Sequence, residues 1–181
     1  MLSNLPNAIT ISRLLVVPFM VWLLIEGSHV AAFWVFLIAG ISDALDGFIA
    51  KRFNAASDLG SYLDPLADKA LLVSVYVTLG VQGGVAHWLV ILVVFRDLLI
   101  LAGAVLYYTM AQQALAPDPH PISKLNTAAQ IVLVVLILGG QAFGVDFGVF
   151  KTIMVFFVGI STLLSGAVYM VRWFRTMALM K

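Results

Sequence analysis

The 181-residue sequence contains no cysteine, which excludes disulfides and thiolate-held metal. Charge is scarce: only 10% of residues are Asp, Glu, Lys or Arg. The formal net charge of +1 selects no class of partner, and no basic tract points to nucleic acid. The three histidines, His29, His87 and His120, are isolated, and none is paired at metal-binding spacing. No internal repeat, low-complexity tract or soluble domain interrupts the chain. Met1 to Asn7 carries no basic region ahead of a short apolar core, and no cleavage site follows. Neither a secretory signal nor a mitochondrial transit peptide is therefore expected.

Apolar side chains dominate. They make up 62% of the residues, and the mean hydropathy is +1.07. A soluble domain of this size does not have that composition. The apolar runs reach the roughly 20 residues needed to cross a bilayer. They lack the alternation of a β-barrel, so backbone satisfaction in lipid requires helices. The expectation is an all-α polytopic membrane protein, one domain over 1–181, with six transmembrane helices. The spans fall near Ile9–Ile25, Val30–Ala50, Ser61–Leu79, Trp88–Tyr108, Ile122–Leu138 and Val149–Trp173. Breaks are expected at Glu26–Ser28, Lys51–Gly60, Gln82–Gly84, Ala116–Pro121 and Gly139–Gly148.

Positive charge gives an orientation. Lys51, Arg52, Lys124, Arg172, Arg175 and Lys181 fall on one side and Lys151 alone on the other, so both termini and the Lys51–Gly60 segment are expected in the cytoplasm. Trp22, Trp34 and Trp88 lie near the expected outer interface and Trp173 near the inner one, as in an aromatic belt. With no import signal, the expected location is a bacterial plasma membrane.

Against this apolar background stand four aspartates, Asp43-x-x-Asp46-Gly47 and Asp64-x-x-x-Asp68. An Asp at a transmembrane helix centre costs about 2.5–3.5 kcal/mol even on forgiving scales. Spacings of three and four residues place each pair on one helix face. A short connection makes the two helices antiparallel neighbours, so the acidic faces can converge near the cytoplasmic surface. Clustered carboxylate oxygens suit one or two Mg²⁺ or Mn²⁺ ions. Gly47 removes a side chain where a large group must approach the backbone, and Gly60 offers the same at the far end of the connection. Ion pairing with Lys51, Lys69 or Arg96 accounts for the charge but not for the spacing with its glycines.

The run Asp43-x-x-Asp46-Gly47-x-x-Ala50-Lys51, eight residues, Gly60-x-x-x-Asp64-x-x-x-Asp68 resembles the signature of the CDP-alcohol phosphotransferases. Its single departure is Lys51, where the family has arginine. Arg52 follows, and either residue is a candidate phosphate contact. Lysine keeps the charge and loses the bidentate fork. Pro6-Asn7-x-x-Thr10-x-x-Arg13 is similar to the family's amino-terminal segment. The resemblance implies six membrane helices, a homodimer, and displacement of CMP from CDP-diacylglycerol by an alcohol. It further implies that Asp43, Asp46 and Asp64 are ligands of a pair of metal ions, with Asp68 both ligand and general base. Asn7, Thr10, Gly47, Lys51 and Ser57 would line the CDP-lipid site.

The second half bears on the acceptor alcohol. Arg96, inside the fourth span, is a buried cation that needs an anion. Asp97 is adjacent, but neighbouring helix residues point apart, so a phosphate or the acidic cluster is the expected partner. Lys124, Thr127 and Gln130 are expected near one face of the fifth span, with Asn126 offset. Arg96, Lys124, Asn126 and Thr127 are the candidate acceptor contacts. The run Ser123-Lys124-Leu125-Asn126-Thr127, with Asp64-Pro65-Leu66-Ala67-Asp68-Lys69 and Arg96-Asp97, looks more like the CMP-forming cardiolipin synthases, whose acceptor is phosphatidylglycerol. The alternative is a phosphatidylglycerophosphate synthase, whose acceptor is glycerol 3-phosphate. A small ion or metal transporter is the rival of another class, since intramembrane carboxylates also mark ion pathways. It predicts acids spread over the membrane depth, whereas these gather at one surface. Gly159 and Gly166 are expected to permit close helix contact, within or between subunits.

Overall fold

A computed structural model describes the backbone of residues 5–53, 58–111 and 121–179, and the side chains of residues 14–42, 69–103 and 121–173. Among the described residues there are six helices and no strand: α1 (Leu5–Ile25), α2 (His29–Phe53), α3 (Asp58–Val81), α4 (His87–Ala111), α5 (Pro121–Phe143) and α6 (Gly148–Leu179). Each expected span falls on one of them. Two segments, Pro121–Phe143 and Gly148–Trp173, are long and apolar enough to cross a membrane among the described residues.

Helix ends follow from local chemistry. After α1, the Gly27 amide donates to the Leu24 carbonyl and the Ser28 amide to Leu23, with Gly27 at φ 72°. After α3, Gly83 donates to Gly80 and Gly84 to Leu79, with Gly83 at φ 75°. This paired closure satisfies two terminal carbonyls and needs a left-handed residue, which glycine supplies without a Cβ clash.

Two expected breaks are shorter than the sequence suggested. α5 continues through Gly139 and Gly140 to Phe143. These glycines mark close approach rather than a turn. A Cβ on Gly139 would lie 3.4 Å from the Phe33 ring, and one on Gly140 would lie 2.8 Å from the Val145 carbonyl oxygen. Likewise α2 runs on to Phe53 and α3 begins at Asp58, so Lys51 and Gly60 are helical rather than in a loop, and Asp64 sits in the second turn of α3.

The chain forms two compact units. The first holds residues 1–85 and 134–147, and the second holds 86–133 and 148–181. In the first unit α1 packs against both α2 and α3. Met20, Leu23 and Leu24 of α1 and Val75, Tyr76 and Leu79 of α3 are buried. Gln82 Nε2 donates to the Leu24 carbonyl at 2.6 Å, tying the ends of α1 and α3. The Phe33 and Phe143 rings meet edge to face at 5.2 Å.

In the second unit α4 packs against α6. A Cβ on Gly159 would stand 2.9 Å from Trp88 Cη2 and Cζ3, and one on Gly166 would stand 3.8 Å from Arg96 Cγ. Gly159 thus admits an α4 side chain within the same chain, whereas a Cβ at Gly166 would make only ordinary contact. Along α6, Phe150, Ile153, Phe156, Phe157, Ile160, Leu163 and Leu164 are exposed, while Ser161, Thr162 and Ser165 are buried. A helix with an apolar exterior and a hydroxyl-bearing interior reverses the pattern of a water-soluble bundle.

Candidate functional site

The acidic residues lie on two helices of the first unit. α2 is unbroken through positions 43 and 46, and α3 is unbroken through 64 and 68. One turn of helix separates the members of each pair, which keeps each pair on one face. The all-oxygen donor set fits a hard divalent cation. The side chains of Asp43, Asp46, Asp64 and Asp68 lie outside the described residues. So do those of Asn7, Thr10 and Lys51; Gly47 is described only as part of the α2 backbone, and Ser57 lies outside the described residues entirely. Among the described residues no three acidic, histidine or cysteine side chains gather as a metal site.

The described polar centre lies in the second unit, around Arg96. This side chain is 2% exposed. Its Nη1 donates to Asp97 Oδ1 at 2.6 Å, and Asp97 is itself 4% exposed. The expectation that adjacent helix residues point apart therefore fails for this pair. Spacing rules describe Cβ directions, and the long arginine stem returns its head to the neighbouring carboxylate. Arg96 Nε and Nη2 also donate to Ser165 Oγ at 3.1 and 2.7 Å. Nη2 donates in addition to Ser123 Oγ. The Tyr169 ring centroid lies 6.0 Å from Arg96 Cζ, within cation–π range.

Burying this charge is costly unless its donors are satisfied. Three helices share the task, with Asp97 from α4, Ser123 from α5 and Ser165 from α6. A guanidinium has five N–H donors. The bonds above engage Nε–H, both Nη2–H groups and one Nη1–H, so a single Nη1–H is left beyond them.

The buried polar face of α5 differs from the expected one. Asn126 and Gln130 are both fully buried, Lys124 is exposed and Thr127 is half-buried. The inward stripe therefore runs Ser123, Asn126, Gln130, at steps of three and four residues, which is true helical periodicity. Lys124 and Gln130 are six residues apart and cannot share it. Asn126 Oδ1 accepts from Ser161 Oγ at 2.7 Å and Thr162 Oγ1 at 2.9 Å. Asn126 Nδ2 has no partner among the described residues.

Ser161, Thr162, Ser165 and Tyr169 were not singled out from the sequence. The available signal was the run Ser161-Thr162-x-x-Ser165-x-x-x-Tyr169, polar positions one turn apart in an apolar span. Small hydroxyl residues in such a helix usually face another helix.

A family model for CDP-alcohol phosphatidyltransferases matches residues 3–177. The chain belongs to the CDP-alcohol phosphatidyltransferase family. It is 34% identical to a human cardiolipin synthase (CMP-forming) over 92% of this chain and 60% of that protein. It is 35% identical to a cardiolipin synthase (CMP-forming)/mitochondrial hydrolase fusion protein of Schizosaccharomyces pombe, over 92% of this chain and 30% of the fusion. It is 33% identical to the CDP-diacylglycerol–glycerol-3-phosphate 3-phosphatidyltransferase of Bacillus subtilis, over 75% of this chain and 76% of that enzyme. The chain thus spans less than two thirds of each of the first two relatives. A phosphatidyltransferase transfers a phosphatidyl group to an alcohol, so family membership favours the enzyme reading over the transporter.

Proposed function

We propose that this protein is an integral-membrane phosphatidyltransferase that joins CDP-diacylglycerol to phosphatidylglycerol, giving cardiolipin and CMP. The relatives include enzymes named for each of two acceptors, so family membership alone leaves the choice open. One observation favours phosphatidylglycerol. The buried Arg96 charge is balanced by Asp97 at 2.6 Å, and Asn126 is neutral. Of the candidate acceptor contacts, Lys124 alone brings a charge with no ion-pair partner among the described residues. One cation suits the single charge of a phosphodiester better than the near-dianionic phosphate of glycerol 3-phosphate.

The reaction forms a P–O bond between the acceptor hydroxyl and the phosphorus that carries the diacylglycerol, and breaks the bond from that phosphorus to CMP. Asp43, Asp46, Asp64 and Asp68 would hold Mg²⁺ or Mn²⁺, which when bound supplies charge stabilisation for the phosphoryl oxygens and the leaving group. Asp68 would take the hydroxyl proton, and a positioned carboxylate of this kind contributes roughly 10²–10⁴-fold. Asn7, Thr10, Gly47, Lys51 or Arg52, and Ser57 would hold the CDP head. Arg96, Lys124, Asn126 and Thr127 would hold the acceptor.

The inverted pattern of α6 supports a lipid surround. In this reading all six helices cross a bacterial plasma membrane, both termini and the acidic helix ends face the cytoplasm, and the protein is a homodimer. The test is product analysis. Purified protein in detergent receives CDP-diacylglycerol, Mg²⁺ and either phosphatidylglycerol or glycerol 3-phosphate. Cardiolipin as the dominant product supports the proposal, and phosphatidylglycerophosphate overturns it.

A further inference from the structure

The buried serine and threonine hydroxyls of α6, on Ser161, Thr162 and Ser165, all meet candidate acceptor contacts. Ser165 is fully buried and brackets one edge of the Arg96 guanidinium, accepting from Nε at 3.1 Å and Nη2 at 2.7 Å. Ser161 and Thr162, 6% and 1% exposed, both donate to Asn126 Oδ1. Positions 161, 162 and 165 share one helix face. The opposite face, with Ile160, Leu163 and Leu164, is exposed and apolar.

We propose that this hydroxyl face of α6 is the positioning element for acceptor recognition. Ser165 sets the plane of the Arg96 guanidinium, and Ser161 with Thr162 fixes which end of the Asn126 carboxamide is left to meet the acceptor. The proposal rests on the reading that Arg96 and Asn126 contact the acceptor. An arginine head on a flexible stem loses recognition when its plane is free to turn, since a phosphate is met by directed N–H groups. The Asn126 orientation is equally directional. Its oxygen is occupied by two hydroxyls, so Nδ2, fully buried and without a partner among the described residues, is the end available to donate. That end selects an oxygen of the acceptor, either phosphoryl or hydroxyl. If the hydroxyls serve only as helix-to-helix adhesion, their loss lowers stability and leaves recognition alone.

The test uses the full chain in detergent micelles, with CDP-diacylglycerol and phosphatidylglycerol varied in turn. Thr162→Val and Ser165→Cys remove a hydroxyl with little change in volume. Thr162→Ser and Ser165→Thr retain it. The expected result is a rise of about tenfold in acceptor KM for the first pair, the loss of one hydrogen bond to a charged or buried polar group. The KM for CDP-diacylglycerol and kcat should stay within about twofold, and the hydroxyl-retaining variants should recover most of the acceptor KM. An unchanged acceptor KM in folded Thr162→Val and Ser165→Cys overturns the proposal. So does an equal rise in both KM values. If Ser165→Cys does not fold, the Thr162 pair decides alone. Arg96→Lys separates the two layers. An acceptor KM that Arg96→Lys leaves unchanged removes the underlying acceptor-site reading. A rise with Arg96→Lys but none with the α6 variants removes the positioning role only.

Discussion

Replacing Asp97 by Asn should destabilise the protein out of proportion to the single atom changed. The substitution keeps the shape of the side chain and removes the only charge described beside the Arg96 guanidinium, which is 2% exposed and 2.6 Å from the carboxylate. Stranding one member of a buried ion pair costs about 3–5 kcal/mol. Ser123 and Ser165 still accept from Nη2 and Nε, which places the expected loss near the lower end, about 3 kcal/mol. For a chain of this length each kcal/mol lowers Tm by about 2–4 °C, so the melting point should fall by about 6–12 °C. The four tryptophans provide a fluorescence readout for thermal unfolding in detergent. The double variant Arg96→Met/Asp97→Leu removes both charges and leaves the Ser165 hydroxyl free to bond a carbonyl of its own helix. It should be more stable than the sum of the two single losses by at least about 1 kcal/mol. A fall of less than about 2 °C for Asp97→Asn, with additive losses in the double variant, would refute the buried-pair argument.

Further outcomes are expected at other positions. Asp68→Asn should abolish turnover while CDP-diacylglycerol binding largely survives, and wild-type CMP release by that variant would remove Asp68 from the chemistry. Lys124→Gln should raise the acceptor KM and flatten its salt dependence, because Lys124 is the exposed cation among the acceptor candidates; steady-state kinetics at two ionic strengths reads this. Gly159→Val should cost about 1–3 kcal/mol, because a Cβ there already stands 2.9 Å from the Trp88 ring. Thermal unfolding measures that loss.

Much of the helical frame was legible in the sequence. Long apolar runs and the glycines after α1 and α3 fixed where helices lie and stop, because the closing turn needs a left-handed residue that side chains resist. The same residue type misled within α5. Gly139 answers to Phe33, a neighbour distant in sequence, and Gly140 to the Val145 carbonyl, which returns to it only after α5 has ended. The acidic motif was readable because its spacing is long and its charge stands against an apolar background. The Arg96 centre was half readable. Its burial and its need for an anion followed from its place in the span, whereas the choice of Asp97 depended on how a long stem folds back. The hydroxyls of α6 were hidden because serine and threonine barely disturb hydropathy, and their partners on α4 and α5 are 35 to 69 residues away.

The decisive measurement is CMP release from CDP-diacylglycerol by the purified protein in the presence of phosphatidylglycerol, with Mg²⁺ supplied, chelated and then restored. Release that stops on chelation, returns with Mg²⁺ and is absent from Asp43→Asn and Asp64→Asn is the expected result. CMP release that persists without divalent metal, or that survives both substitutions, would contradict a metal-assisted transfer built on the four aspartates.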